Sequence, residues 1–224
     1  MSLADVPGDA GNYLPADLQL QILTTEHWSL LSTRALSWNE AFSRGTMFLS
    51  ALSGAVVALA LVAQVDSFGD SFGVFALLIL PVVLFLGITT FIRLVQINRE
   101  DVRWVIGMNL LRHAYLDAAP HLRPYFISGS TDDEAGVMTT FGATAGSGAF
   151  AHQFVTTPGM LAVVNGALAG IVATILVHRI GAGTEVGLIV GVAAAAVTVG
   201  VLALHQYGRV VKPRARHRAR FPGD

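Results

Sequence analysis

The chain has no cysteine, one lysine and few charges of either sign. Without thiols, disulfides, thiolate catalysis, iron–sulfur clusters and cysteine zinc sites are excluded, and the redox compartment stays open. The lone lysine, Lys212, follows no Gly-x4-Gly-Lys-Ser/Thr run, so a phosphate-binding loop is excluded as well. Ser147 sits in Gly146-Ser147-Gly148 without the G-x-S-x-G spacing or the strand–turn–helix setting of a nucleophile elbow. No His-Glu-x-x-His pattern occurs. His113 with Asp117, and Glu26 with His27, fall short of the three or four convergent ligands a metal requires and read as helix-surface residues. No cofactor, metal or catalytic residue is therefore expected.

Charged residues make up 13% of the chain, against roughly one-quarter in a soluble domain, while hydrophobic residues reach 53%. A lipid-exposed surface accounts for that imbalance. The first 21 residues lack the basic region and apolar core of a secretory signal, carrying Asp5, Asp9, Asp17, Pro7 and Pro15 instead. Residues 1–15 read as a disordered, uncleaved start.

Four runs are long enough to cross a hydrocarbon core about 30 Å thick at about 1.5 Å per residue: 45–65, 71–92, 154–177 and 186–204. None contains Asp, Glu, Lys or Arg. Asp66 to Asp70 supplies a Gly- and Asp-containing turn between the first two, and residues 178–185 supply another between the last two. The predicted fold is all-α and polytopic, with two transmembrane helical hairpins. Basic residues near span ends favour the cytoplasm. Only Arg179 lies beside the two short turns; Arg34, Arg44, Arg93, Arg99, Arg103, Arg112, Arg123, Arg209, Lys212, Arg214, Arg216, Arg218 and Arg220 lie on the other side. That bias places both termini inside.

Residues 16–44 contain no Gly or Pro, and Leu23, Leu30, Leu31, Ala35, Trp38 and Phe42 recur at helical steps. Residues 93–119 continue span two in the same way until Pro120 and Pro124. The region 16–119 thus reads as one long helical hairpin whose extensions pack in the cytoplasm as an antiparallel stalk. Stalk residues of interest are Glu26, His27, Trp38, Glu40, Arg103, Trp104 and His113, with Trp38 close enough to the bilayer to be an interfacial anchor. Residues 120–153, rich in Gly, Ser, Thr and Ala, read as a flexible cytoplasmic loop, 154–205 as the second hairpin, and 206–224 as a basic tail.

Arg209, Lys212, Arg214, Arg216, Arg218 and Arg220 form a juxtamembrane cluster suited to anionic lipid headgroups, a better match than nucleic acid. Gly166 with Gly170, and Gly187 with Gly191 and Ala195, form small-residue rows that let helix backbones approach closely. They serve either an oligomer interface or the packing of span three on span four. Asn165 in span three, Thr89 and Thr90 in span two, and the kink expected at Pro81 are polar or backbone features that could line a path. An interhelical hydrogen bond and a tolerated kink are the better readings of Asn165 and Pro81.

The segments at 26–64 (EHWSLLSTRALSWNEAFSRGTMFLSALSGAVVALALVAQ) and 97–116 (INREDVRWVIGMNLLRHAYL) resemble a group of uncharacterised four-span membrane proteins of high-GC, actinobacteria-like bacteria. The resemblance implies a bacterial plasma-membrane location and brings no activity or site residues. Three functions follow as expectations. The first is a non-enzymatic oligomeric scaffold or partner protein. The second is an oligomeric channel gated through its cytoplasmic helices. The third is a lipid-acting enzyme using Glu26, His27, Arg103 and His113.

Overall fold

A computed structural model describes residues 14–142, 157–211 and 218–223. Among these residues the chain is helical and carries no strand. Two very long helices come first: α1 (Ala16–Asp66, 51 residues) and α2 (Asp70–Ala118, 49 residues). Each is about 75 Å long at about 1.5 Å per residue, more than twice the thickness of a hydrocarbon core. Roughly half of each helix must therefore lie outside a single crossing. After a 3-10 turn at Pro120–Tyr125 comes the short helix α3 (Glu134–Thr140). Two single-crossing helices follow, α4 (Thr157–Arg179) and α5 (Thr184–Gln206), and then a π turn at Tyr207–Val211. Four helices, α1, α2, α4 and α5, are long and apolar enough to span a membrane, and the chain is a multi-pass integral membrane protein.

The turn between α1 and α2 is tighter than its glycine suggests. Ser67 and Phe68 both adopt left-handed backbone, with φ of 48° and 63°, a conformation costing about 1–2 kcal/mol for a residue with a Cβ. The Phe68 ring meets Phe72 edge-on at 5.0 Å, which offsets part of that cost. Between α4 and α5 the left-handed position falls on Gly181, φ 83°, where no side chain objects. Pro81 stands inside α2, exposed, and the helix continues through it.

Two compact units divide the chain. The first gathers the described residues of 14–37, 99–142 and 218–223; its apolar centre is Val102, Val105, Met108 and Val137, flanked by Leu30, Ile106 and Phe141. The second gathers 38–98 and 157–211, and its core is larger, built on Phe48, Ala76, Leu80, Phe91, Val95, Ile97, Leu161 and Leu168.

Candidate functional site

Three of the six buried polar side chains among the described residues, Asp101, Asn109 and Asp132, lie in the first unit. Its hub is Asn109 on α2, fully buried. The Asn109 Nδ2 donates to the Thr131 carbonyl at 2.8 Å, while its Oδ1 accepts from Arg112 Nη1 at 2.8 Å and from the Thr140 hydroxyl at 2.9 Å. Both ends of the amide are thus bonded, as burial of an amide favours. Two helical turns earlier on α2, buried Asp101 takes a forked bond from Arg34 of α1, 2.6 Å at Nε and 3.3 Å at Nη2. The Arg34 guanidinium also lies over the Phe141 ring, 5.7 Å from its centre.

Towards the start of α1, Tyr115 donates its hydroxyl to the Leu23 carbonyl at 2.9 Å and stacks its ring on His27 at 5.7 Å. Burial, and then the positive charge of Arg112, push the His27 imidazole below its ordinary value. Arg112 is itself lowered, first by burial and then by Arg34. The cluster favours a neutral His27 near neutral pH.

Thr131, Asp132 and Asp133 complete the unit. Asp133 caps α3: its Oδ1 accepts from Gly136 N at 2.8 Å and from the Thr131 hydroxyl at 2.7 Å. The Gly136 amide, the Gly223 amide and the Thr131 hydroxyl hold the Asp133 carboxyl below its ordinary value against the opposing effect of burial. Buried Asp132 accepts from Arg220 N and Phe221 N, both at 2.8 Å, and Asp133 Oδ2 accepts from Gly223 N at 2.9 Å. The Phe221 ring stacks on His113, 4.2 Å between centres. His113 Nε2 is 3.7 Å from Asp117, an ion pair only when the imidazole is protonated.

Of the residues singled out in the stalk, His27 and His113 thus belong to this cluster. Glu26 and Arg103 are exposed, and Trp104 is half-buried with an indole N–H that finds no acceptor. A cross-helix pair between Asp101 and an arginine was expected from the sequence and is met by Arg34, whereas Tyr115, Thr131, Asp132, Asp133 and Thr140 were passed over. One signal was available: Thr-Asp-Asp-Glu ahead of a small-residue run is an N-cap signature. Arg209, Arg218 and Arg220 are exposed; Lys212, Arg214 and Arg216 lie outside the described residues, as does Ser147.

In the second unit Trp38 packs against the apolar core. Glu40 accepts from Arg93 Nη2 at 2.7 Å and from Arg44 Nε at 2.8 Å. Hydrogen bonds from Arg93 and then from Arg44 hold its carboxyl down at about 2. The glycine rows of α4 and α5 face each other: a Cβ on Gly170 would come within 2.8 Å of the Gly191 carbonyl and 3.2 Å of the Ala195 methyl. A Cβ on Gly166 would lie 3.0 Å from the Ala195 carbonyl, whereas one on Gly187 would find only ordinary contacts at 3.6 Å. Thr174 bridges the pair, with its hydroxyl 2.9 Å from the Gly170 carbonyl and 3.2 Å from that of Gly187. Fully buried Asn165 back-bonds to Leu161 O at 2.8 Å, and its Oδ1 faces Gly87 without a hydrogen-bond donor. Thr90 is buried, and Thr89, though exposed, bonds its hydroxyl to the Phe85 carbonyl at 3.0 Å. Among the described residues no three His, Asp or Glu side chains gather as metal ligands would.

No family model, curated protein or solved structure matches this chain. The polar groups of the first unit are paired with one another and with main-chain atoms.

Proposed function

We propose that this protein is a non-enzymatic scaffold of the bacterial plasma membrane that self-associates through the N-terminal part of α1, with both termini in the cytoplasm. The observation that carries this reading is an outward row on that helix. Leu20, Thr24, Trp28, Leu31 and Ala35 are all exposed, Trp28 by 65%, and no charged residue occupies the row. The adjacent side, about a quarter-turn round the helix and carrying Leu23, His27, Leu30 and Arg34, is the one engaged within the unit. From Leu20 the steps are four, four, three and four residues through Thr24, Trp28 and Leu31 to Ala35. That repeat suits a second helix running alongside.

A second copy is the occupant that fits. Two copies inserted in one membrane have the same orientation, so their α1 rows meet in parallel and by twofold symmetry. Exposed Arg209, Arg218 and Arg220 support contact with anionic headgroups.

Native mass spectrometry of the full chain in detergent tests the reading. The wild type is expected as a dimer or higher oligomer, and Trp28→Glu with Leu31→Glu as a monomer that keeps its helical content. A monomeric wild type, or an oligomer indifferent to both substitutions, would overturn it.

A further inference from the structure

We propose that Asp132, Asp133 and His113 form a peptide-recognition site for a bent segment bearing an aromatic side chain, and that the chain's own residues 220–223 are its resident, exchangeable ligand. The proposal is independent of the reading of α1. It stands on how completely the two partners match. In the segment Arg220-Phe221-Pro222-Gly223, every residue with a main-chain N–H gives it to a carboxylate: Arg220 and Phe221 to Asp132, and Gly223 to Asp133. The one residue without a bond is Pro222, which has no N–H to give.

Side-chain recognition is confined to one ring. Phe221 lies on the His113 imidazole at 4.2 Å with 21° between planes, and the Arg220 guanidinium folds back over the same phenyl ring at 5.5 Å. Arg220, Pro222 and Gly223 remain exposed. The occupant therefore rests in a surface recess and is not threaded through the core, so it can leave without unfolding its host.

The receptor side is fixed beforehand. Thr131 and the Gly136 amide hold Asp133 Oδ1 through the α3 cap, leaving Oδ2 for the ligand. Asn109 holds the Thr131 carbonyl from α2. With the segment in place Asp132 is only 2% exposed, so the segment both covers the carboxylate and gives it two N–H donors. Charge-assisted bonds of that kind are the strong ones, and a replacement carrying the same pair of N–H donors can take them over. Recognition through main-chain N–H groups plus one aromatic fits any peptide of the form x-Phe-Pro-Gly that can adopt the same bend, the segment of a second copy included.

Two measurements on the full chain test this. The bond cut by trypsin after Arg220 includes the Phe221 N–H held by Asp132, so docking should shield it. Release of residues 221–224 is expected to be at least about tenfold faster in Phe221→Ala and in Asp132→Asn than in the wild type. The second probe is a labelled peptide of sequence Ala-Arg-Phe-Pro-Gly-Asp. It should bind the Phe221→Ala protein at least about tenfold more tightly than the wild type, whose own segment competes at high effective concentration. The combined Asp132→Asn and Phe221→Ala protein should not bind it. Should Asp132→Asn fail to fold, Phe221→Ala, a change in the terminal segment alone, decides the matter. Equal cleavage in the wild type and Phe221→Ala, or no binding of the peptide to Phe221→Ala at millimolar concentration, overturns the proposal.

Discussion

Asn109 and Asn165 are each fully buried, one in each unit, yet their surroundings differ in kind. Asn109 is bonded at both ends of its amide to three different partners. Asn165 spends its N–H on its own helix and leaves its oxygen against Gly87. The difference reflects how each unit is held together. The first gains cohesion from paired polar groups around a small apolar centre. The second relies on close backbone approach and a large apolar core, as helices do in a medium where burying apolar surface offers little advantage over lipid. The Asn109 amide ties separate segments together, whereas that of Asn165 bonds within its own helix.

The largest test of this contrast lies in the glycine rows. Gly191→Ala is expected to cost about 3 kcal/mol in detergent unfolding, because its Cβ would lie 2.9 Å from the Gly170 carbonyl and neither backbone can give way cheaply. Gly187→Ala, one turn earlier with contacts at 3.6 Å, should change stability by less than about 0.5 kcal/mol. Equal effects would show that packing distance does not govern the second unit.

The paired asparagines come next. Asn109→Leu should cost about 2 kcal/mol, since it leaves the Thr131 carbonyl without its amide donor and takes an acceptor from both Arg112 and the Thr140 hydroxyl. Asn165→Leu removes an oxygen with no donor and should stay within about 1 kcal/mol of the wild type. A reversed order would break the comparison.

A smaller effect is expected from pH. His27 has a folded value below its ordinary 6.5, so the unfolded chain binds its proton first. Its contribution to stability is complete above pH 6.5 and is lost as pH falls from there through the folded value. His27→Gln should flatten that part of a thermal melting profile against pH. A profile unchanged by the substitution would mean that the imidazole does not face the Arg112 charge.

The least effect belongs to Glu40. Its low value, about 2, arises on a side chain 36% exposed, where screening by solvent and salt erodes the gain. Glu40→Gln should cost about 0.5 kcal/mol at low salt and less at high salt. The stabilisation is present above the ordinary carboxylate value of 4.5 and is lost as pH falls towards 2.

The four apolar runs were legible because an uncharged stretch of some twenty residues has one common physical reading. The face-to-face approach of Gly170 and Gly191 fitted the small-residue spacing, though spacing could not say which chain supplies the partner. What escaped was long-range pairing. Leu30 and Leu31 are adjacent and equally apolar, but Leu30 packs inward while Leu31 is exposed, since Arg34 and Tyr115 fix the inward side of α1. Likewise Asp132 and its donors at 220 and 221 are 88 and 89 residues apart, and no local period links them. The helix α3 lies in a stretch that composition marks as loop; one cap at Asp133 and contact of Val137 with Val105 and Met108 overcome its weak propensity.

Arg179, the only basic residue beside either short turn, is tied to Asp70 at the start of α2. Its Nη1 donates to the carboxylate at 2.9 Å, its Nη2 donates to the Asp70 carbonyl, and it lies where Gly73 leaves room. The bond joins residues 109 positions apart. It imposes an order on biogenesis: the first two helices must already be seated before the third can fasten its end, so the clasp closes late and records that both helix pairs have arrived.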